Sequence, residues 1–194
     1  MTLLAPAVEG RSVVLKPIEP QDHEAMYVAE TTPYMTEHWW HGEELTFKQW
    51  RARVHYGSFL QLVAYDRKHP RTPLGRGRAY SLESEHQHAY FGMLRYRQDG
   101  PASTSAQGLF LFIDLLFRQW GLHKLYAEIP DWNLTQFDKS LDRLGFQLEG
   151  CKRGHWLRDD GSRADDWLYA LYRSTWETEG KRLVEWALGN RGGD

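Results

Sequence analysis

The stretch HAYFGMLRYRQDGPASTSAQGLFLFIDLLFRQWGLHKLYAEIP (His88–Pro130) holds one complete supersecondary unit. Its first ten residues, His88 to Arg97, read as a strand rich in aromatic and apolar side chains. From about Thr104 to Trp120 the residues are apolar on nearly every side, which predicts a buried helix. Gly121 provides a stop for it. KLYAEIP (Lys124–Pro130) is a strand again. Strand, long helix and strand in one sheet make a right-handed crossover, so the two strands are expected to run parallel.

Outward from this unit the pattern is antiparallel. RSVVLKPI (Arg11–Ile18) alternates and is β-branched, a strand. A helix is expected after it, with Pro20 near its start and Asp22 as a cap. YMTEHWWHGEE is aromatic and irregular. Thr46 caps a second helix that ends at Gly57. FLQLVAYDR and LGRGRAYSLES form a hairpin across the turn KHPRTP. Downstream, a helix is expected to open at Asn133, with Gln136 three residues on as in a capping box, and to stop at Gly145-Phe146. A hairpin turning at Asp160-Gly161 closes the sheet. An amphipathic segment, Glu177 to Leu188, follows as an appended helix. The fold class is mixed α+β, one mostly antiparallel sheet with a single parallel βαβ crossover and helices on both faces.

At 194 residues the chain is the size of one domain. Its net charge of −2 offers no global attraction to nucleic acid or an anionic membrane, and neither is expected as a partner. The one cysteine, Cys151, cannot form an internal disulfide, which fits a reducing cytoplasm. The longest apolar run is too short to span a bilayer. MTLLAPAVEG lacks the charged and apolar regions of a signal peptide, so none is expected. His38 and His41 have ligand spacing but no accompanying cysteine or carboxylate set, so no metal is expected.

Three stretches, RSVVLKPIEPQDHEAMY, GLHKLYAEIPDWNLTQFDKSLDRLGFQLEG and GHWLRDDGSRADDWLYALYRSTW, occur in the order found in the GNAT superfamily of acyl-CoA-dependent N-acyltransferases. They resemble its opening strand and helix, its fifth strand with the helix that follows, and its closing hairpin. The likeness is nearest to the branch that acetylates ribosomal-protein N-termini. It implies a GNAT-like domain over residues 1–176, with 177–194 as a helical extension and polar tail.

The resemblance implies acetyl-CoA as donor and a primary amine, of a small molecule or a peptide N-terminus, as acceptor. The pantetheine arm would pair with backbone around Met93, Leu94 and Arg95, with the Leu94 N–H stabilising the oxyanion. The pyrophosphate would sit at the start of the long helix, near Arg97, Gly100, Ala102, Ser103 and Thr104, with Asn133 also on the donor side. Two departures stand out. Asp99 and Pro101 fall in the phosphate loop, placing a carboxylate and a missing N–H donor there. Ala89 and Leu141 occupy the positions of the family's usual Glu base and Tyr acid. His88 is then the first candidate base, because imidazole titrates near neutral pH, with Glu85 beside it and Ser140 next to the lost acid. Glu37, His38, Trp39, Trp40 and Tyr90 are the expected acceptor-binding groups. A homodimer is compatible with the exposed helix carrying Trp186. The departures keep a second reading open, a GNAT-fold binding or regulatory protein without acetyl-CoA catalysis, and a third, a transferase using an unusual acyl donor.

Overall fold

The computed structural model describes residues 7–39, 45–96, 102–158 and 160–189. Eight strands form one sheet: β1 (Val8–Glu9), β2 (Val13–Pro17), β3 (Ser58–Asp66), β4 (His69–Glu83), β5 (His88–Arg95), β6 (Lys124–Pro130), β7 (Gln147–Leu157) and β8 (Arg163–Tyr172). Their spatial order is β1-β2-β3-β4-β5-β6-β8-β7. Every neighbouring pair is antiparallel except β5 and β6, which are parallel and joined by α4 (Ala102–Trp120). The mixed α+β sheet with one crossover is the expected architecture.

Alternation along the strands assigns the two faces. Leu62 and Ala64 of β3 join Ala89 and Phe91 of β5 under α4, whose Phe112, Ile113 and Leu116 are fully buried. Each such side chain contributes about 1.5–3 kcal/mol by leaving water. Val63 and Tyr65, with Leu94 and Tyr96, point the other way. They pack under α1 (His23–Glu30), α2 (Pro33–Trp39) and α3 (Phe47–Arg53), through Met26, Met35 and Trp50. Helix α4 comes close to the sheet because Gly77 lies beneath it: a Cβ there would stand 3.0 Å from the Phe112 ring.

Local chemistry accounts for the element ends. Thr46 and Gln49 form a full capping box on α3. Gly121, Gly145 and Gly161 adopt φ of 59°, 77° and 82°, a region that L side chains disfavour. Four local expectations are corrected. YMTEHW is not irregular: Pro33 opens a short helix through Trp39. The six-residue turn at KHPRTP shrinks to two residues, because register shifts around Tyr65 carry His69–Pro73 into the hairpin. The helix α5 (Asp131–Arg143) opens at Asp131, and Asn133 does not cap it, since its side chain bonds elsewhere. Asp22 stands at the N-cap of α1 but its side chain makes no cap bond there; its carboxylate closes a capping box with Glu19 on a 3-10 turn and accepts from Tyr65.

The C-terminal segment runs as a short helix α6 (Arg173–Thr175), one π-type turn (Trp176–Gly180) and α7 (Lys181–Leu188). Gly180 is needed there, since a Cβ would fall 2.3 Å from the Trp176 ring. Helix α7 inserts Val184 and Ala187 into the main core, and the Arg11 N–H donates to the Ala187 carbonyl at 2.6 Å. Trp186 meets Phe110 edge-on and is 40% exposed. Among the described residues no helix is long and apolar enough to cross a membrane.

Candidate active site at the parting of two parallel strands

Strands β5 and β6 are paired only at His88–Lys124, Ala89–Leu125 and Tyr90–Tyr126. Past Tyr90 and Tyr126 they separate. On its outer side β5 stays bonded to β4 as far as Arg95, and β6 stays bonded to β8 as far as Pro130. Their facing edges therefore have no strand partner over five residues of β5 and four of β6. A cleft of about 350 Å³ fills this wedge. Its walls come from both faces of the sheet, so it passes through it.

On the α4 face the cleft is apolar, walled by Phe91, Met93, Leu109, Phe137, Leu141 and Phe146. On the other face it is polar and aromatic, with Arg78, Tyr80, Glu128, Asp166, Trp156 and His38. Helix α5 begins at the rim: Trp132 Nε1 and Asn133 Nδ2 both donate to the His38 carbonyl, at 3.3 and 2.7 Å, tying α2 to α5 across the opening. Asp131 anchors this start by accepting from Trp167 Nε1 and the Asp165 N–H, which hold its carboxyl below the usual range.

The polar face carries a linked set of charges. Tyr80 reaches from β4 over β5 and donates to Glu128 Oε2 at 3.2 Å. Lys152 of β7 bonds Glu128 Oε1 and lies 3.5 Å from Asp166 Oδ2. Asp166 is 1% exposed, with the Lys152 ammonium and the Trp156 indole beside its carboxylate. Burial pushes its carboxyl above the usual carboxylate range, against the pull of the Trp156 indole; the Glu128 charge adds to the rise and Lys152 opposes it. Burial likewise raises the Tyr80 phenol, helped by the Glu128 charge. For Lys152 burial is the largest influence and favours the neutral amine, but the bond to Glu128 and the neighbouring carboxylate charges outweigh it and hold the ammonium more firmly.

Of the residues expected from sequence, the structure brings Met93, His38 and Asn133 to the cleft. Leu94 and Arg95 lie on the separated part of β5, where the Leu94 side chain packs into the second core. Tyr90 sits at the point of divergence, stacked on Tyr126 with ring centres 5.0 Å apart. Glu37 is exposed on α2. Ala102 and Ser103 are exposed in the first turn of α4. Thr104 is not available to a phosphate: it is buried, and its hydroxyl is 3.3 Å from that of Ser12. The Asn133 amide is likewise committed to His38. His88 and Glu85 stand away from the cleft. His88 occupies the closed end of the β5–β6 pair, edge-on to Tyr126, and Glu85 is exposed in the preceding turn. Arg97, Gly100 and Trp40, and the side chains of Trp39 and Ser140, lie outside the described residues.

Sequence reasoning passed over Glu128, Asp166, Tyr80 and Lys152. A signal existed. Consecutive Asp165 and Asp166 inside a strand must point to opposite faces, so one of them had to face inward.

No protein-family model matches the chain, and no curated protein matches it. Solved structures match over nearly its whole length. A GCN5-related N-acetyltransferase from Brucella melitensis superposes with a TM-score of 0.76 at 17% identity, covering 96% of this chain and 87% of that one. Mycobacterium smegmatis RimJ, solved with CoA-disulfide, gives 0.74 at 18% identity, covering 93% of each. The spermidine N-acetyltransferase of Vibrio cholerae, solved with CoA and spermine, gives 0.71 at 16%, covering 86% of this chain and 99% of that one. An eight-stranded sheet parted between its two parallel strands, with the crossover helix over the gap, thus has the fold of the GNAT-family acetyltransferases.

Proposed function

We propose that the protein is an acyl-CoA-dependent N-acetyltransferase, moving an acetyl group from acetyl-CoA to a primary amine of a small molecule or a peptide N-terminus. The observation that carries this reading is the cleft through the sheet at the parting of β5 and β6. The unpaired edge of β5 suits a pantetheine arm, whose amides can pair as an added strand. The apolar wall suits its methylene segments. The nineteen-residue helix α4 directs the unpaired N–H groups of its first turn, from Ala102 onward, toward the place of the pyrophosphate. The amine would attack the thioester carbon from the polar face, forming C–N and breaking C–S, with a β5 N–H near Leu94 serving the oxyanion. The Brucella and Vibrio acetyltransferases support acetyl transfer, the RimJ and Vibrio complexes support CoA as the donor's carrier, and the Vibrio complex with spermine supports an amine acceptor.

The expected result is thermal stabilisation by acetyl-CoA. At 100 times its dissociation constant the ligand adds about 2.7 kcal/mol. No shift with acetyl-CoA or any longer acyl-CoA would overturn the reading. Buried Ala89 and Leu141, in place of the family's usual base and acid, favour a second reading: a chain that binds without turnover. Stabilisation by acetyl-CoA without thiol release in the presence of amines would select it.

A further inference from the structure

We propose that the polar half of the cleft is a primary-ammonium site, in which Glu128 and Asp166 receive the substrate cation, Asp166 accepts its proton, and Lys152 is the internal cation that substrate displaces. The proposal rests on the transferase reading and names the chemistry of its acceptor side.

The starting point is Asp166. It points inward from β8 with 1% exposure and lines the cleft, where it meets the Trp156 indole and the Lys152 ammonium. A carboxylate so buried is costly unless a cation comes to it. The cation present is Lys152, directly opposite on β7, at 3.5 Å from Asp166 and bonded to Glu128. One ammonium thus already spans the two carboxylates. Lys152 is attached from outside the cleft and is itself 40% exposed, so it can swing to water when another ammonium enters. The surroundings suit a cation on an apolar stem: Trp132 and Trp156 meet edge-on at 6.3 Å beside the acids.

Among the described residues, four other charged or titratable groups stand on this side of the cleft. From β4 come Tyr80, bonded to Glu128, and Arg78, turned away toward Ser58 and the Tyr56 carbonyl. From β7 comes His155, and from α2 His38, which is bonded to the Tyr34 carbonyl. None of these donates to Asp166 among the described residues.

The chemistry balances. A primary amine enters as its ammonium, and transfer needs the free amine. Asp166 takes one proton, the amine nitrogen forms its bond to the thioester carbon, and the C–S pair leaves with the thiolate. A second proton, lost from the nitrogen, goes to that thiolate. A carboxyl whose proton affinity is raised by burial is a better acceptor for the first step than an exposed one.

The test uses the full chain with n-butylamine, 1,4-diaminobutane and phenethylamine as probes, measured by calorimetry at pH 8. At least one probe should bind saturably. Asp166→Asn should weaken it at least tenfold, Glu128→Gln should also weaken it, and Lys152→Met should tighten it. CoA binding should stay unchanged in all three. With a turned-over probe, Asp166→Asn should lower kcat/KM about 100-fold and remove the acid limb of its pH profile, while Asp166→Glu restores part of both. Binding by no probe, or binding indifferent to Asp166→Asn, would overturn the proposal. Amine binding in a chain that ignores CoA would instead overturn the transferase reading and leave the ammonium site standing.

Discussion

At the residue scale, Asp166 costs the fold stability when it is ionised. Its ordinary carboxylate value is 3.8, and burial raises it in the folded chain. Between those two values the folded state holds the proton that the unfolded state has released. Stability is therefore greatest below the ordinary value and falls as pH rises through the raised one. Asp166→Asn removes that loss. The variant is expected to melt no lower than the parent at pH 8, and to flatten the decline of melting temperature between pH 4 and pH 8. A variant that melts several degrees lower at pH 8 would mean that the Lys152 contact outweighs the cost of burial. A residue that destabilises when ionised and lines a cleft is more readily explained by chemistry than by folding.

At the element scale, the polar wall of the cleft depends on how α1–α3 sit on the sheet, and one carboxylate ties them to it. Glu30, at the end of α1, accepts from Trp50 Nε1 of α3 at 2.9 Å, from Arg76 of β4 at 3.0 Å, and from the Tyr96 hydroxyl just past β5. Both ends of the Arg76–Glu30 pair are about 10% exposed. Glu30→Gln leaves a buried guanidinium without its counterion and should cost about 3–5 kcal/mol, read as a lowered urea midpoint; a loss under about 1 kcal/mol would show the pair to be solvated. None of this network was legible in the sequence, because its members are up to 66 residues apart. The elements themselves were legible wherever a local rule fixes them. The limits of β6 and the left-handed stops at Gly121 and Gly145 follow from nearest neighbours alone. Local rules failed where a distant partner claimed the signal. Asn133 has the chemistry of a cap, but the His38 carbonyl, 95 residues away, takes its amide. Thr104 has the chemistry of a phosphate donor, but Ser12 takes its hydroxyl. For the cleft, the family resemblance pointed to Met93–Arg95, on the stretch of β5 that lacks a strand partner, and passed over the acid wall, since Glu128, Lys152 and Asp166 come from three strands that only the β6-β8-β7 order brings side by side.

At the scale of the whole molecule, the open question is whether the sheet and its crossover stand without the last helix. A chain ending at Trp176 would keep all eight strands and both halves of the cleft. It would lose the cover over α4, however. Val184 and Ala187 are buried against α4 and the turn between β1 and β2, Gly10 admits them with a would-be Cβ 2.8 Å from Leu111 and 3.1 Å from the Ala187 carbonyl, and Trp186 shields Phe110. Removing α7 uncovers two large side chains of α4 and discards at least one of its own, at about 1.5–3 kcal/mol each. The sum is of the order of the entire stability of many domains. The truncated chain is therefore expected to unfold at a far lower urea concentration, or to be collected only as aggregate. Because α4 also presents the N–H groups proposed for the pyrophosphate, whatever stays folded should bind CoA more weakly. A truncated chain with an unchanged midpoint and unchanged CoA affinity would make α7 a true appendage, and its Trp186 face would then be better explained as a surface for a second copy of the chain than as part of this core.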